Sequence, residues 1–168
     1  NPDVKIIETI RHKDKRGFFE ELFVKDWFLE NIAPIDFVQD NLSFSESRHT
    51  LRGLHYQTKP FEQDKLVSVL SGSIMDVAVD IRPNSKFFGK HISINLFSTD
   101  SKHLFIPKGF AHGFQTLTDN CEIFYIVSEF YKPDFEGALN AFDSKIDIIW
   151  PLEVTEMSNR DRNNTLLD

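Results

Sequence analysis

His55 is the first residue in this chain whose surroundings could support chemistry. It lies in Leu51-Arg52-Gly53-Leu54-His55-Tyr56-Gln57, a stretch that reads as a strand and also carries an arginine. Histidine is the side chain best suited to moving protons near neutral pH, and arginine to holding an anion. On a regular strand the two would face opposite sides, because their positions differ by an odd number. Gly53 lies between them, and a glycine inside a strand often marks a bulge that re-aims its neighbours. With a bulge, Arg52 and His55 face one cavity; without one, His55 is a core histidine and Arg52 a surface charge. Two further residues have ordinary explanations when taken alone. Tyr125, in Cys121-Glu122-Ile123-Phe124-Tyr125-Ile126-Val127, shares a face with Ile123 and Val127 and reads as a core tyrosine whose hydroxyl finds a partner. Asp161 ends Ser158-Asn159-Arg160-Asp161, a capping-box pattern that makes it a helix-start residue.

His112 lies in Ile106-Pro107-Lys108-Gly109-Phe110-Ala111-His112-Gly113-Phe114, a tight turn leading back into a strand. Pro-x-Gly-x-x-His is half of the metal-binding signature of cupin barrels. The other half normally supplies His-x-His and a glutamate, and here the matching segment is His55-Tyr56-Gln57, with glutamine a poor ligand for a transition metal. Glu62 is the nearest candidate carboxylate. The spacing predicts a cupin shape without its metal.

These residues have to be positioned by strands. Period-two alternation recurs from about Val4 to Trp150. In Ser73 to Arg82, Met75, Val77, Val79 and Ile81 share one face and Asp76 and Asp80 the other; Ile92, Ile94 and Leu96 repeat the pattern, as do Ile123, Tyr125 and Val127. Each is expected to bury one face. Turn-forming residues separate them at 70–73, 82–85, 98–101, 107–109 and 132–134. Without long helical patterns in between, this spacing predicts an all-β jelly-roll barrel of cupin type. Short peripheral helices are expected at Lys25 to Ile32 and Thr155 to Arg162. Seventeen phenylalanines point to a β core.

At 168 residues with 40% hydrophobic content, the chain is expected to form one domain with one site. No apolar run approaches the roughly 20 residues that span a bilayer, and the N-terminus lacks a signal-peptide apolar stretch, so a cytoplasmic protein is expected. A single cysteine, Cys121, allows neither an internal disulfide nor a thiolate metal cluster. A formal charge of −7 argues against nucleic-acid or anionic-membrane partners. A small anion could still bind where cations gather, around Arg48, Arg52 and Lys65.

Taken in order, several segments resemble the dTDP-4-dehydrorhamnose 3,5-epimerase family. They are Arg16-Gly17-Phe18-Phe19-Glu20, Gln39-Asp40-Asn41, Arg52 to Gln57, Lys65-Leu66-Val67, Asp76 to Arg82, Gly109 to Phe114 and Trp150-Pro151. The resemblance implies a jelly-roll homodimer that makes dTDP-L-rhamnose for cell-surface polysaccharide, uses no metal or organic cofactor, and takes dTDP-4-keto-6-deoxy-D-glucose as substrate. It implies His55 as general base, Asp161 as the carboxylate supporting it, Tyr125 as general acid and Lys65 beside the developing oxyanion. Arg52, His112 and Tyr131 match further substrate-binding positions. Arg16, Glu20, Gln39 and Asn41 match the nucleotide-binding region, to which the N-terminal part of the neighbouring subunit contributes. A ketone at carbon 4 acidifies the hydrogens on carbons 3 and 5, so an imidazole can remove one and leave an enolate; reprotonation from the opposite face inverts the centre.

The sequence departs from the family pattern at Ile126, where lysine is common, at Leu42, where histidine is common, and over the looser stretch 140–149. Inversion at a single carbon, another nucleotide sugar, a non-catalytic sugar-nucleotide binding module and a metal-dependent cupin oxygenase remain as alternatives at this stage.

Overall fold

The computed structural model describes residues 1–168. One five-stranded sheet contains, in spatial order, β1 (Lys5–Glu8), β9 (Lys102–Ile106), β6 (Lys65–Ser71), β11 (Cys121–Val127) and β4 (Gln39–Ser45). The facing sheet contains β12 (Glu136–Ala138), β5 (Leu51–Gln57), β10 (Phe110–Thr116), β7 (Ser73–Asp80) and β8 (His91–Phe97). A separate hairpin pairs β2 (Arg11–Asp14) with β3 (Gly17–Glu20). Every ladder is antiparallel. From β4 to β12 the chain changes sheet at every step except β7 to β8. That winding is the expected all-β jelly roll, formed by two sheets closing over one another.

The expectation of one buried face fails for β7, which is buried along its whole length, as is its neighbour β10. On β7, Ile74 and Ala78 pack between the sheets with Val67, Val69, Leu104, Ile106 and Ile123. Met75, Val77 and Val79 pack on the other side against Leu139, Ala141, Ile146 and Leu167 from the C-terminal segment. That segment adds a third layer, which alternation within β7 could not reveal. Asp76 and Asp80 share the inner face with Ile74 and Ala78, and both are 0% exposed.

Helix α1 (Lys25–Asn31) forms nearly as expected, and Phe28 anchors it at 1% exposure. Phe28 meets Phe23, Phe37 and Phe105 at ring separations of 5.2–5.5 Å, a burial worth about 2 kcal/mol for Phe28. Helix α2 (Asn159–Arg162) is shorter than the expected Thr155 to Arg162. Its missing turn is drawn out along the sheet edge, where Thr155 N–H bonds to His49 O and Glu156 O accepts from Leu51 N–H. The phenylalanines are not chiefly core residues: Phe28, Phe105, Phe110 and Phe114 are buried, while Phe18, Phe19, Phe44, Phe88, Phe97, Phe130 and Phe142 are exposed.

Candidate active site

In the ladder between β5 and β10, His55 pairs with His112 and Arg52 with Phe114, so Gly53 and Leu54 together oppose Gly113. This is the β-bulge that Gly53 suggested, and it turns Arg52 and His55 into the same cavity. Only glycine fits there. Gly53 has φ +110°, and a Cβ would stand 2.6 Å from His112 O and 2.7 Å from Gly113 Cα; a Cβ on Gly113 would stand 2.6 Å from Arg52 O.

The cavity lies between the sheets, encloses about 620 Å³, and is bordered by Arg52, His55, Lys65, His112, Tyr125 and Asp161 among others. A second chamber of about 300 Å³ is bordered by Gln39, Asn41, Tyr131 and Glu136. His55, Lys65 and Tyr125 line both chambers and mark where they meet. His55 comes from one sheet and Tyr125 from the other. They therefore stand on opposite walls.

His55 Nε2 lies 2.7 Å from Asp161 Oδ1, and Asp161 Oδ2 accepts a 3.2 Å hydrogen bond from Gly53 N–H. Ser158 is the N-cap of α2 and its hydroxyl accepts from Asp161 N–H, but the aspartate does not reach back to complete a capping box. One residue is thus capped through its backbone while its carboxylate serves His55. Burial works to raise the Asp161 carboxyl, but the bonds from His55, Gly53 and Ser158 hold it below its ordinary value. An ionised carboxylate only accepts, so His55 carries its proton on Nε2 and presents the Nδ1 lone pair, which has no protein partner.

Lys65 opens β6 at 8% exposure and has neither an ion pair nor a hydrogen bond within the protein. Burial pushes its ammonium down to about 8, against the opposing attraction of Asp76 and Glu136. Such a cation is costly unless an anion arrives to meet it. Burial also pushes the Tyr125 hydroxyl upward, so it stays protonated. Arg52 donates to Ser45 Oγ at 3.0 Å and to Phe44 O at 2.9 Å, which fixes it at the cavity wall.

Of the residues singled out in the sequence, His55, Asp161, Tyr125, Lys65, Arg52 and His112 line the main cavity, and Gln39, Asn41 and Tyr131 the adjoining chamber. Arg16 and Glu20 border neither. Arg16 pairs with Asp14 at the exposed hairpin tip, and Glu20 is buried against Arg11, Thr9 and His103. Arg48 is also elsewhere, bonded to His49. Three residues were missed. Glu136 accepts from Arg160 at 2.7 Å and from the Tyr131 hydroxyl at 2.8 Å, forming a polar strap at the cavity mouth. Asp76 holds His112 Nε2 at 2.6 Å. Its position on the face of Ile74 and Ala78 was the available signal.

No three His, Cys, Asp or Glu side chains are grouped as a metal site would require. His55 and His112 are each tied to their own aspartate, and Glu62 lines a separate open groove.

Residues 2–168 match the family model described as dTDP-4-dehydrorhamnose 3,5-epimerase. The chain belongs to this family. It is an isomerase by membership, and a similar Shigella flexneri dTDP-4-dehydrorhamnose 3,5-epimerase is 44% identical over 163 residues, covering 96% of this chain and 90% of that one. The fold is similar to that of the Bacillus anthracis epimerase with TDP and PPi bound, with a TM-score of 0.95 at 38% identity over 98% of this chain and 94% of that one. It is also similar to the Legionella pneumophila epimerase in complex with dTDP-4-keto-L-rhamnose, at TM-score 0.93 and 41% identity over 98% and 88%. The two single-residue departures from the epimerase pattern point away from the cavity: Leu42 is 62% exposed on the outer face of β4, and Ile126 packs beneath α1.

Proposed function

We propose that this chain inverts carbons 3 and 5 of dTDP-4-keto-6-deoxy-D-glucose to give dTDP-4-keto-L-rhamnose, using only its own side chains. The observation that carries the reading is an imidazole–carboxylate pair and a protonated tyrosine on opposite walls of one cavity, with an unpartnered lysine cation bordering the same space.

His55 Nδ1 takes the proton from carbon 3 or 5, and the C–H electron pair passes into the adjoining carbonyl to form an enolate. Lys65 offers its cation where that negative charge collects. Asp161 holds the imidazole tautomer and stabilises the imidazolium, a role analogous to the aspartate of a catalytic triad. Tyr125 returns a proton to the opposite face, and solvent restores both residues. Arg52 supports binding of the diphosphate, and Gln39, Asn41 and Tyr131 that of the nucleotide in the adjoining chamber.

We further read residues 1–168 as one unit with one site, acting in the cytoplasm as a homodimer in which the neighbour's β2–β3 hairpin brings Arg16 and Glu20 to the nucleotide. No helix is long and apolar enough to cross a membrane. Phe18 and Phe19 on the hairpin and Leu42 and Phe44 on β4 are exposed apolar side chains that a partner would cover.

Incubation with dTDP-4-keto-6-deoxy-D-glucose in D₂O, followed by NMR, tests the reading. Label at both carbons that falls by about 10²-fold or more in His55→Ala supports it. Label at one carbon only assigns a single-centre epimerase, an outcome kept in view by the similarity of the fold to a Streptomyces bikiniensis 3'-monoepimerase in complex with dTDP-quinovose. That protein gives a TM-score of 0.90 at 30% identity over 98% of this chain and 84% of that one. Binding without label would leave a sugar-nucleotide binding module.

A further inference from the structure

Two aspartates lie four residues apart on the inner face of β7, and both are fully enclosed. Asp80 is completely satisfied: Arg82, Ser85 and Asn1 all donate to it. Asp76 is not. Its Oδ1 holds His112 Nε2 at 2.6 Å, while its Oδ2 is buried without any hydrogen-bond partner. A half-satisfied carboxylate buried in a protein interior is unfavourable and calls for an explanation beyond packing.

The charges around the cavity supply one. From β5 come Arg52 and His55, from β10 His112, from β6 Lys65, from β11 Tyr125, from β12 Glu136, from α2 Arg160 and Asp161, and from the segment before α2 Glu156, which is exposed to solvent. Opposite Asp76, β8 contributes Ile94 and no charge. Asp161 is committed to His55 and Glu136 to Arg160. Among the buried groups, one cation, Lys65, and one carboxylate oxygen, Asp76 Oδ2, are left without a partner in direct contact.

We propose that Asp76 is a positioning residue of this site: one of its oxygens fixes the His112 ring at the cavity wall, and the other supplies the negative charge that sustains the buried Lys65 ammonium. His112 Nδ1, which makes no bond within the protein, is thereby held at a fixed place on the wall. The electrostatics agree in sign, since burial drives the Lys65 ammonium down to about 8 while Asp76 opposes the fall. The inference rests on reading Lys65 as the cation beside the enolate.

The experiment is the pH profile of kcat/KM for the full chain and for Asp76→Asn, which preserves shape and an acceptor for His112 but removes the charge. The alkaline limb of the variant moves down by about one pH unit, a roughly fivefold loss at pH 8 with much less at pH 6.5. His112→Gln, which leaves Asp76 charged, keeps the alkaline limb in place while lowering the whole profile. Should Asp76→Asn fail to fold by circular dichroism, Asp76→Ser removes the same charge with less bulk and is read in the same way. An unmoved alkaline limb, or a uniform loss at every pH, overturns the inference. A wild-type protein that exchanges no deuterium into its substrate instead overturns the reading of the site itself.

Discussion

Lys65 is the residue where stability and activity pull apart most clearly. The Lys65 ammonium sits at about 8 in the fold against an ordinary value of 10.5, so the folded chain binds fewer protons than the unfolded chain between those values. Stability from this group therefore rises with pH across that window, and at neutral pH the buried cation costs on the order of 3 kcal/mol. Lys65→Met is expected to raise the urea-unfolding free energy at pH 7 by about 1–3 kcal/mol while reducing turnover at least about 10²-fold. A variant that loses stability would show that Lys65 is a structural residue. Asp161 works in the other direction. Its carboxyl lies below the ordinary value, so its contribution is present above the usual carboxylate range and is lost as pH falls through the folded value. Asp161→Asn removes that acid-side contribution and leaves His55 without its anionic partner, with an expected fall in kcat of about 10²–10⁴-fold. Wild-type kcat in this variant would remove Asp161 from the mechanism.

At the scale of elements, the bulge in β5 joins sequence to chemistry. Gly53→Ala places a Cβ against the backbone of β10 at φ +110°, so the strands must separate or the bulge must relax. We expect a destabilisation of at least about 2 kcal/mol, seen as a lower melting temperature, together with loss of deuterium exchange because Arg52 and His55 no longer share a cavity. An unchanged melting temperature with wild-type exchange would mean that the bulge is dispensable. The glycine made this element legible in the sequence. The jelly roll was likewise legible in the strand alternation, and the catalytic candidates of the main cavity were legible through the family resemblance. Asp76 was not, since alternation reveals which residues share a face but not whether a further layer covers either one. In β7 the covering layer comes from residues more than 50 positions later, and that reversed the expectation of a polar outer face. Glu136 and Arg160 escaped for a related reason: their pairing joins a short strand after a 3-10 turn to a four-residue helix, which no local pattern connects.

At the scale of the whole molecule, all four groups proposed to move protons or hold the enolate come from one chain, whereas Arg16 and Glu20 stand away from that chain's cavity. If a neighbour's hairpin supplies them, chemistry and nucleotide binding are divided between protomers. Disrupting assembly should then raise KM far more than it lowers kcat, because His55, Asp161, Tyr125 and Lys65 keep their geometry. The exposed side chains Phe18, Phe19, Leu42 and Phe44 indicate where to intervene, since water-facing apolar area of this kind is what an interface core removes. Phe18→Ser combined with Phe19→Ser lies outside the cavity, and both rings are more than half exposed, so the isolated fold should tolerate it. Analytical ultracentrifugation is expected to give a dimer for the natural sequence and a monomer for the double variant, with KM for dTDP-4-keto-6-deoxy-D-glucose raised about tenfold or more and kcat within a few-fold. A natural chain that sediments as a monomer while retaining full activity would remove the dimer, and with it any role for Arg16 and Glu20 at the nucleotide.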